Sequence, residues 1–150
     1  MSLDPDLALD EYLGSGNIQS YFKGTAFATI RALGAWEPGM ERTIGGFNAV
    51  WRDFKERWGT VDITEAKRAL ETPEKLLSAA AVDPTIAAQL VWTVASLADG
   101  CPQLSAALAR AGVDAAAAPE LARLKDGSAG PDEEQWCADL LATARGRPRA

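Results

Sequence analysis

Histidine is absent from this chain of 150 residues, and its absence excludes several classes of chemistry. Without an imidazole the chain cannot by itself form a Ser-His-Asp triad, a Cys-His pair, a His-containing zinc site or a proximal haem ligand. The Glu-x-x-His pairs of di-iron bundles are excluded for the same reason. The Gly14–Gly16 and Gly45–Gly46 segments complete neither a dinucleotide fingerprint nor a phosphate-binding loop. We therefore expect no metal and no cofactor.

Cysteine is scarce, and the two that occur are too far apart for a Cys-x-x-Cys motif. Cys101 lies between Gly100 and Pro102, where a helix N-terminus would lower the pKa of its thiol. It is the one residue whose setting suits a nucleophile, although a structural role is the simpler interpretation. Cys137 is expected to be a small core residue.

Long apolar runs and excess positive charge are also missing. No segment approaches the roughly 18 to 20 apolar residues of a membrane-spanning helix, and the acidic N-terminus does not look like a signal peptide, so we expect a cytoplasmic protein and no membrane partner. With 15 basic against 21 acidic residues, the net charge of −6 makes nucleic-acid binding an unlikely function. The basic tail from Arg145 to Arg149 is the local exception. It could contact phosphate, but a solvated chain end is the simpler interpretation.

What the chain has in abundance is helical periodicity punctuated by proline and glycine. Apolar residues recur at three- and four-residue spacing, and Asp-Pro or Thr-Pro pairs mark several helix starts. The pattern predicts an all-α fold of about eight helices and no strand. Helices are expected at about residues 4–13, 17–33, 40–58, 65–71 and 115–125. Further helices are expected to start at Pro73, at Pro84 with a stop at Asp99-Gly100, at Pro102 with an end before Gly112, and at about Asp132. The segment from Thr25 to Ile30 is also compatible with a strand.

Aromatic residues form one stripe on the helix predicted from Met40 to Trp58. Its members lie four, three and four positions apart: Phe47, Trp51, Phe54 and Trp58. Such stripes are typical of a buried helix face, but tryptophan and phenylalanine also dominate interface energetics. Phe47 and Trp51 are expected inside, with Trp58 partly exposed beside Gly59. The candidate partner-binding residues are Trp36, Phe47, Trp51 and Trp58.

A weak internal repeat covers residues 62–146. Displacing the chain by 46 positions matches Pro73 to Pro119 and Gln89 to Gln135, and the helix-start prolines nearly coincide. The segments from Leu90 to Ala98 and from Cys101 to Gly112 resemble an armadillo or HEAT-type repeat. That resemblance implies a helical scaffold that binds another protein along a groove. The alternative fold is a compact multi-helix bundle.

These observations favour a single all-helical domain over residues 1–150, with possible sub-units at 1–60 and 62–146 and a basic tail at 147–150. We expect a non-catalytic module that binds another protein, as an adaptor or as a small subunit of an assembly. Homo-oligomerisation is possible. The alternative is a ligand-binding domain or enzyme with a pocket between helices that uses Asp, Glu, Arg or Cys101.

Overall fold

The computed structural model describes residues 18–58, 73–113 and 119–146, and within these ranges all regular structure is helical. The all-α prediction is therefore confirmed for this part of the chain. The helices predicted at 4–13 and 65–71 lie outside the described residues. The eight described helices are α1 (Ile18–Ala32), α2 (Met40–Thr43), α3 (Phe47–Trp58), α4 (Pro73–Ala80), α5 (Pro84–Asp99), α6 (Pro102–Arg110), α7 (Pro119–Asp126) and α8 (Pro131–Gly146).

Helix α5 is the central element of the core. Its start is capped by Asp83, whose carboxylate accepts a hydrogen bond from the backbone N–H of Thr85 at 3.0 Å, and Pro84 follows at the first helical position. Every residue from Ala87 to Ala95 is buried. A helix buried on all sides must be surrounded, and α5 packs against α1, α3, α4, α6, α7 and α8.

The surrounding helices are amphipathic and each contributes one apolar face. Helix α1 and the turn that follows it bury Phe22, Ala26, Ile30 and Leu33, which are four of the five positions that the sequence periodicity predicted. The side chain of the fifth, Ile18, lies outside the described part of the structure. Helix α8 packs extensively on α5 and buries Cys137, Ala138 and Leu141 against it. These faces form one hydrophobic core with α5 at its centre.

The helix predicted from residue 40 to residue 58 is wrong in its first half, because the chain forms two helices there. The short α2 ends at Thr43, Ile44 adopts an extended conformation, and α3 begins only at Phe47. Gly46 has a φ of +81°, a left-handed conformation that glycine adopts at little cost and that interrupts a right-handed helix. Phe47 therefore lies at the first position of a helix rather than in the middle of one.

Helix α1 ends in a glycine turn that brings the following residues back onto it. Gly34 has a φ of +81°, and the N–H of Ala35 donates to the carbonyl of Ile30 at 3.1 Å. This six-to-one hydrogen bond is the Schellman ending, which satisfies a terminal carbonyl of the helix. The turn places Trp36 beside the side of α1 that carries Phe27.

A candidate partner-binding surface on helices α1 and α3

The aromatic stripe of α3 is divided between the core and the surface. Trp51 is 4% exposed, and its ring centroid lies 4.9 Å from that of Phe22 and 5.6 Å from that of Phe54. Trp51 was predicted both as a core residue and as a candidate for partner binding. The structure places it inside the protein, where its ring contacts other aromatic residues.

Trp58 is half-buried and joins α3 to the central helix. Its ring centroid lies 5.2 Å from that of Trp92 in an edge-to-face arrangement. The guanidinium of Arg57 lies 4.6 Å from the centroid of Trp58. The pKa of Arg57 is lowered by burial, and the negative charge of nearby Asp126 partly offsets this by stabilising the charged guanidinium. Most of the Trp58 ring is thus occupied by contacts within the protein.

A second group of aromatic rings lies at the surface. Phe27 of α1 is at its centre, with ring-centroid distances of 5.2 Å to Trp36 and 5.5 Å to Phe47. Both contacts are edge-to-face, which is a favourable geometry for aromatic pairs. All three rings are half-buried. Trp36 is therefore partly exposed, as predicted. Phe47 was expected inside but is only half-buried, because the helix interruption at Gly46 makes it the first residue of α3.

Two exposed cations lie on this group of rings. The ammonium of Lys23 is 5.9 Å from the centroid of Phe27 and 5.3 Å from that of Phe47, and the guanidinium carbon of Arg31 is 4.2 Å from that of Trp36. Residues 23, 27 and 31 are four positions apart, so they follow one ridge of α1. We call Lys23, Phe27, Arg31, Trp36 and Phe47 the aromatic–basic patch.

The positive charges of the patch are not neutralised by described residues. Among residues 18–58, 73–113 and 119–146, no carboxylate lies within ion-pair distance of Lys23 or Arg31. Glu37 adjoins the patch in sequence, but it accepts a hydrogen bond from Gln103 at 3.2 Å and pairs with Arg110, both on α6. These two contacts lower the pKa of Glu37 and keep its carboxylate directed to α6.

Neither cysteine presents an exposed nucleophile. Cys101 precedes α6 as predicted, but it is 3% exposed and its thiol lies 3.8 Å from the carbonyl oxygen of Thr43. Cys137 is completely buried, and burial raises the pKa of its thiol to about 12, with smaller contributions from Glu134 and Glu133. These positions suit small core residues rather than attack on a substrate.

Three acidic residues, Asp132, Glu133 and Glu134, lie in the first turn of α8, and Glu133 caps this helix. Glu133 accepts the backbone N–H of Gly130 at 2.7 Å, which is the reciprocal half of a capping box. It also accepts the Nε–H of Arg123 at 3.0 Å. The described residues contain no group of three Cys, Asp or Glu side chains arranged to hold a metal ion. The side chains of the basic tail from Arg145 to Arg149 lie outside the described part of the structure.

Comparison with known proteins finds no matching family model, no similar curated protein and no similar solved structure. The resemblance to armadillo and HEAT repeats therefore remains a prediction from the sequence.

Among the helices that the structure describes, none is long and apolar enough to cross a bilayer.

Sequence analysis identified two residues of the aromatic–basic patch, Trp36 and Phe47, and missed the other three. The signal for Lys23, Phe27 and Arg31 is their four-residue spacing, which predicts cation and ring on one face of α1. This spacing was not recognised as a binding signal because the same helix carries a longer apolar face, and that face accounts for most of its helical periodicity. Trp92, which supports Trp58, was likewise interpreted only as part of its helix.

Proposed function

We propose that this chain is a non-catalytic helical module that binds another protein through the aromatic–basic patch, as an adaptor or as a small subunit of an assembly. The observation that carries the proposal is a group of three half-buried rings under two cations that no described carboxylate neutralises. The helical core behind the patch holds the rings in place before a partner arrives, which reduces the entropy lost on binding.

The composition of the patch is that of an interface rather than of ordinary surface. Aromatic side chains and arginine are enriched at interfaces and carry much of the binding energy when a partner excludes water from them. Trp36 and Phe27 are held edge to face, and Arg31 lies on Trp36, so the large side chains are already ordered. In contrast, Trp51 and Trp58 contribute to the stability of this surface from within.

The helix bounds support a related proposal, that residues 62–146 form two repeats. Helices α5 and α8 begin with proline at Pro84 and Pro131, which lie 47 positions apart. Helices α4 and α7 end at Ala80 and Asp126, which lie 46 positions apart. In this arrangement α5 and α8 are equivalent helices that pack on each other. The patch lies on α1 and α3, outside the repeated segment.

Site-specific photo-crosslinking tests the proposed function. A benzophenone amino acid is placed at Asn48, which is exposed next to Phe47, and in a matched variant at Ala122, which is exposed on α7. The tagged full chain is irradiated in a lysate of the source cell. We expect one protein in near-stoichiometric yield from position 48 and none from position 122.

A second comparison links the crosslink to the rings. Trp36→Ser in the Asn48 probe variant should abolish the product, whereas Arg52→Ala, at an exposed position of α3, should leave it unchanged. Equal products from positions 48 and 122, or a product that persists in Trp36→Ser with an intact fold by circular dichroism, would contradict the proposal. A crosslinked dimer of this chain would assign the patch to self-association instead.

A further inference from the structure

We infer that the segment bound by the aromatic–basic patch is an acidic peptide of a partner protein, and that Arg31 binds one of its carboxylates from its position over Trp36. The inference rests on the proposed function and specifies the chemistry of the partner. Three features of the patch support it: the exposed guanidinium of Arg31 over Trp36, the two cations over the rings, and the absence of a described carboxylate beside them.

Arg31 has the donors and the exposure that a carboxylate receptor needs. Its guanidinium carbon lies over the Trp36 ring, 4.2 Å from the centroid, and the residue is exposed. A guanidinium presents parallel N–H groups that match the two oxygens of a carboxylate. Among the described residues, none accepts a hydrogen bond from Arg31. Its donors are therefore without an acceptor from this part of the chain.

The rings favour an anion beside them for a second reason. The face of an aromatic ring is electron-rich and its edge is electropositive. Lys23 lies over the rings of Phe27 and Phe47, and Arg31 lies over Trp36. The cationic head groups attract a carboxylate, and the electropositive ring edges add to that attraction where the peptide meets them. An apolar side chain of the same peptide can contact the three rings.

The segment that carries the patch has an excess of positive charge. Residues 18–58 contain six basic and four acidic residues, which gives +2, whereas the whole chain carries −6. Within the patch, Lys23 and Arg31 are exposed and no described carboxylate pairs with them. An acidic peptide is attracted to these two cations.

This distribution also decides against nucleic acid as the occupant. A phosphate backbone extends over many charges, and its footprint on a protein is an extended basic surface. Here two cations stand in a chain with an excess of acidic residues. Base stacking would also compete with Lys23 and Arg31, which lie over rings of the patch.

Selection from a random peptide library displayed on phage tests the inference. The full chain is immobilised, and bound phage are recovered in parallel selections on the wild-type protein and on Arg31→Ala. We expect wild-type selection to enrich peptides that combine Asp or Glu with an aromatic or aliphatic residue, and we expect this enrichment to disappear with Arg31→Ala.

Synthetic peptides from the selection then give affinities by fluorescence polarisation. Arg31→Ala should weaken binding about tenfold or more, as expected when a hydrogen-bonded charge loses its partner. Arg31→Lys should also weaken it, because lysine keeps the charge and loses the planar pair of donors. Arg52→Ala removes the same charge from an exposed position of α3 and should change affinity about twofold or less. Replacing Asp and Glu of the peptide by Asn and Gln should abolish binding.

The outcomes separate this inference from the proposed function. Enriched peptides without carboxylates that lose binding with Trp36→Ser would overturn the acidic-peptide inference and leave the docking surface in place. Equal losses from Arg31→Ala and Arg52→Ala would reduce the effect to general electrostatics and overturn the role of Arg31. Failure to enrich any peptide, or binding of a single-stranded oligonucleotide or of anionic vesicles in an Arg31-dependent manner instead, would also overturn it.

Discussion

At the scale of single residues, the aromatic side chains divide into those that hold the protein together and those that face outward. Trp51 and Phe54 are enclosed by rings from α1 and α5, whereas Phe27 and Trp36 keep part of their surface exposed. Residue type does not distinguish the two groups. Their different neighbours do, and replacement of an enclosed ring is therefore expected to lower the free energy of unfolding more than replacement of an outward-facing residue.

Trp51→Ala should lower the free energy of unfolding by about 3 to 5 kcal/mol, because it removes a large buried ring and leaves a cavity. Urea denaturation followed by circular dichroism measures the change. The neighbouring Arg52→Ala, at an exposed position, should cost less than about 0.5 kcal/mol. A loss below about 1 kcal/mol for Trp51→Ala would place this tryptophan at the surface.

Glu133 provides a pH-dependent contribution to stability. The N–H of Gly130, followed by Arg123, lowers the pKa of this carboxyl from its ordinary value of 4.5. Because the ionised form is favoured in the folded protein, its contribution is complete above that ordinary value and is lost as the pH falls through the lowered pKa.

Glu133→Gln should therefore destabilise the protein at neutral pH, and the difference from wild type should shrink on acidification below about 4.5. Urea denaturation at several pH values measures this effect. Glu56→Gln, at an exposed position of α3, is the matched control for loss of one negative charge. If Glu133→Gln were less stable than wild type by the same amount at every pH, the contacts of the ionised carboxylate would be excluded as the cause.

At the scale of helices, α5 is distinguished by the small residues that let other helices approach it. Ala87 and Ala88 are completely buried, and helices pack around α5 on every side. A larger side chain at either position would have to displace neighbouring core residues, because neither position faces solvent. The amphipathic helices around it tolerate larger residues on their outer faces.

Ala88→Leu should destabilise the protein by about 1 to 3 kcal/mol through overpacking. Ala106→Leu makes the same change at an exposed position of α6 and should change stability by less than about 0.5 kcal/mol. Thermal unfolding of both variants compares them directly. Equal stability of the two variants would show that α5 has free space around Ala88.

At the scale of the whole molecule, the burial of both cysteines links thiol reactivity to unfolding. Cys101 and Cys137 lie in the same hydrophobic core, and burial holds the pKa of Cys137 near 12. A thiol that is both inaccessible and protonated reacts only when the structure around it opens.

We expect a disulfide reagent that reports thiolate release to modify the folded protein only at the rate at which its core opens. Adding denaturant should make both thiols react at once. Ser105→Cys, at an exposed position of α6, supplies a reactive control in the folded state. Immediate reaction of one native thiol would contradict the buried position of that cysteine.

Much of the fold was predictable because the signals that define helices are local. Asp83-Pro84 marks the start of α5, and the apolar positions of α1 from Phe22 to Leu33 identify its buried face. The interruption of the helix before Phe47 was not predicted, because the sequence Gly45-Gly46 does not reveal which backbone conformation these two residues adopt. Three of the five patch residues were missed for a related reason, since the exposure of Phe27 depends on residues from other parts of the chain.

The sequence by itself determined that this protein is helical and where most of its described helices begin and end, because caps, prolines and apolar spacing act within a few residues. Tertiary structure alone decided which aromatic residues became core and which became surface. Trp51 and Phe47 share one sequence pattern, yet only Trp51 is buried, against Phe22 of α1 and Phe54 of its own helix. Burial is a property of the neighbours that packing supplies, and the placement of Arg31 on Trp36 likewise exists only after the turn at Gly34 has formed.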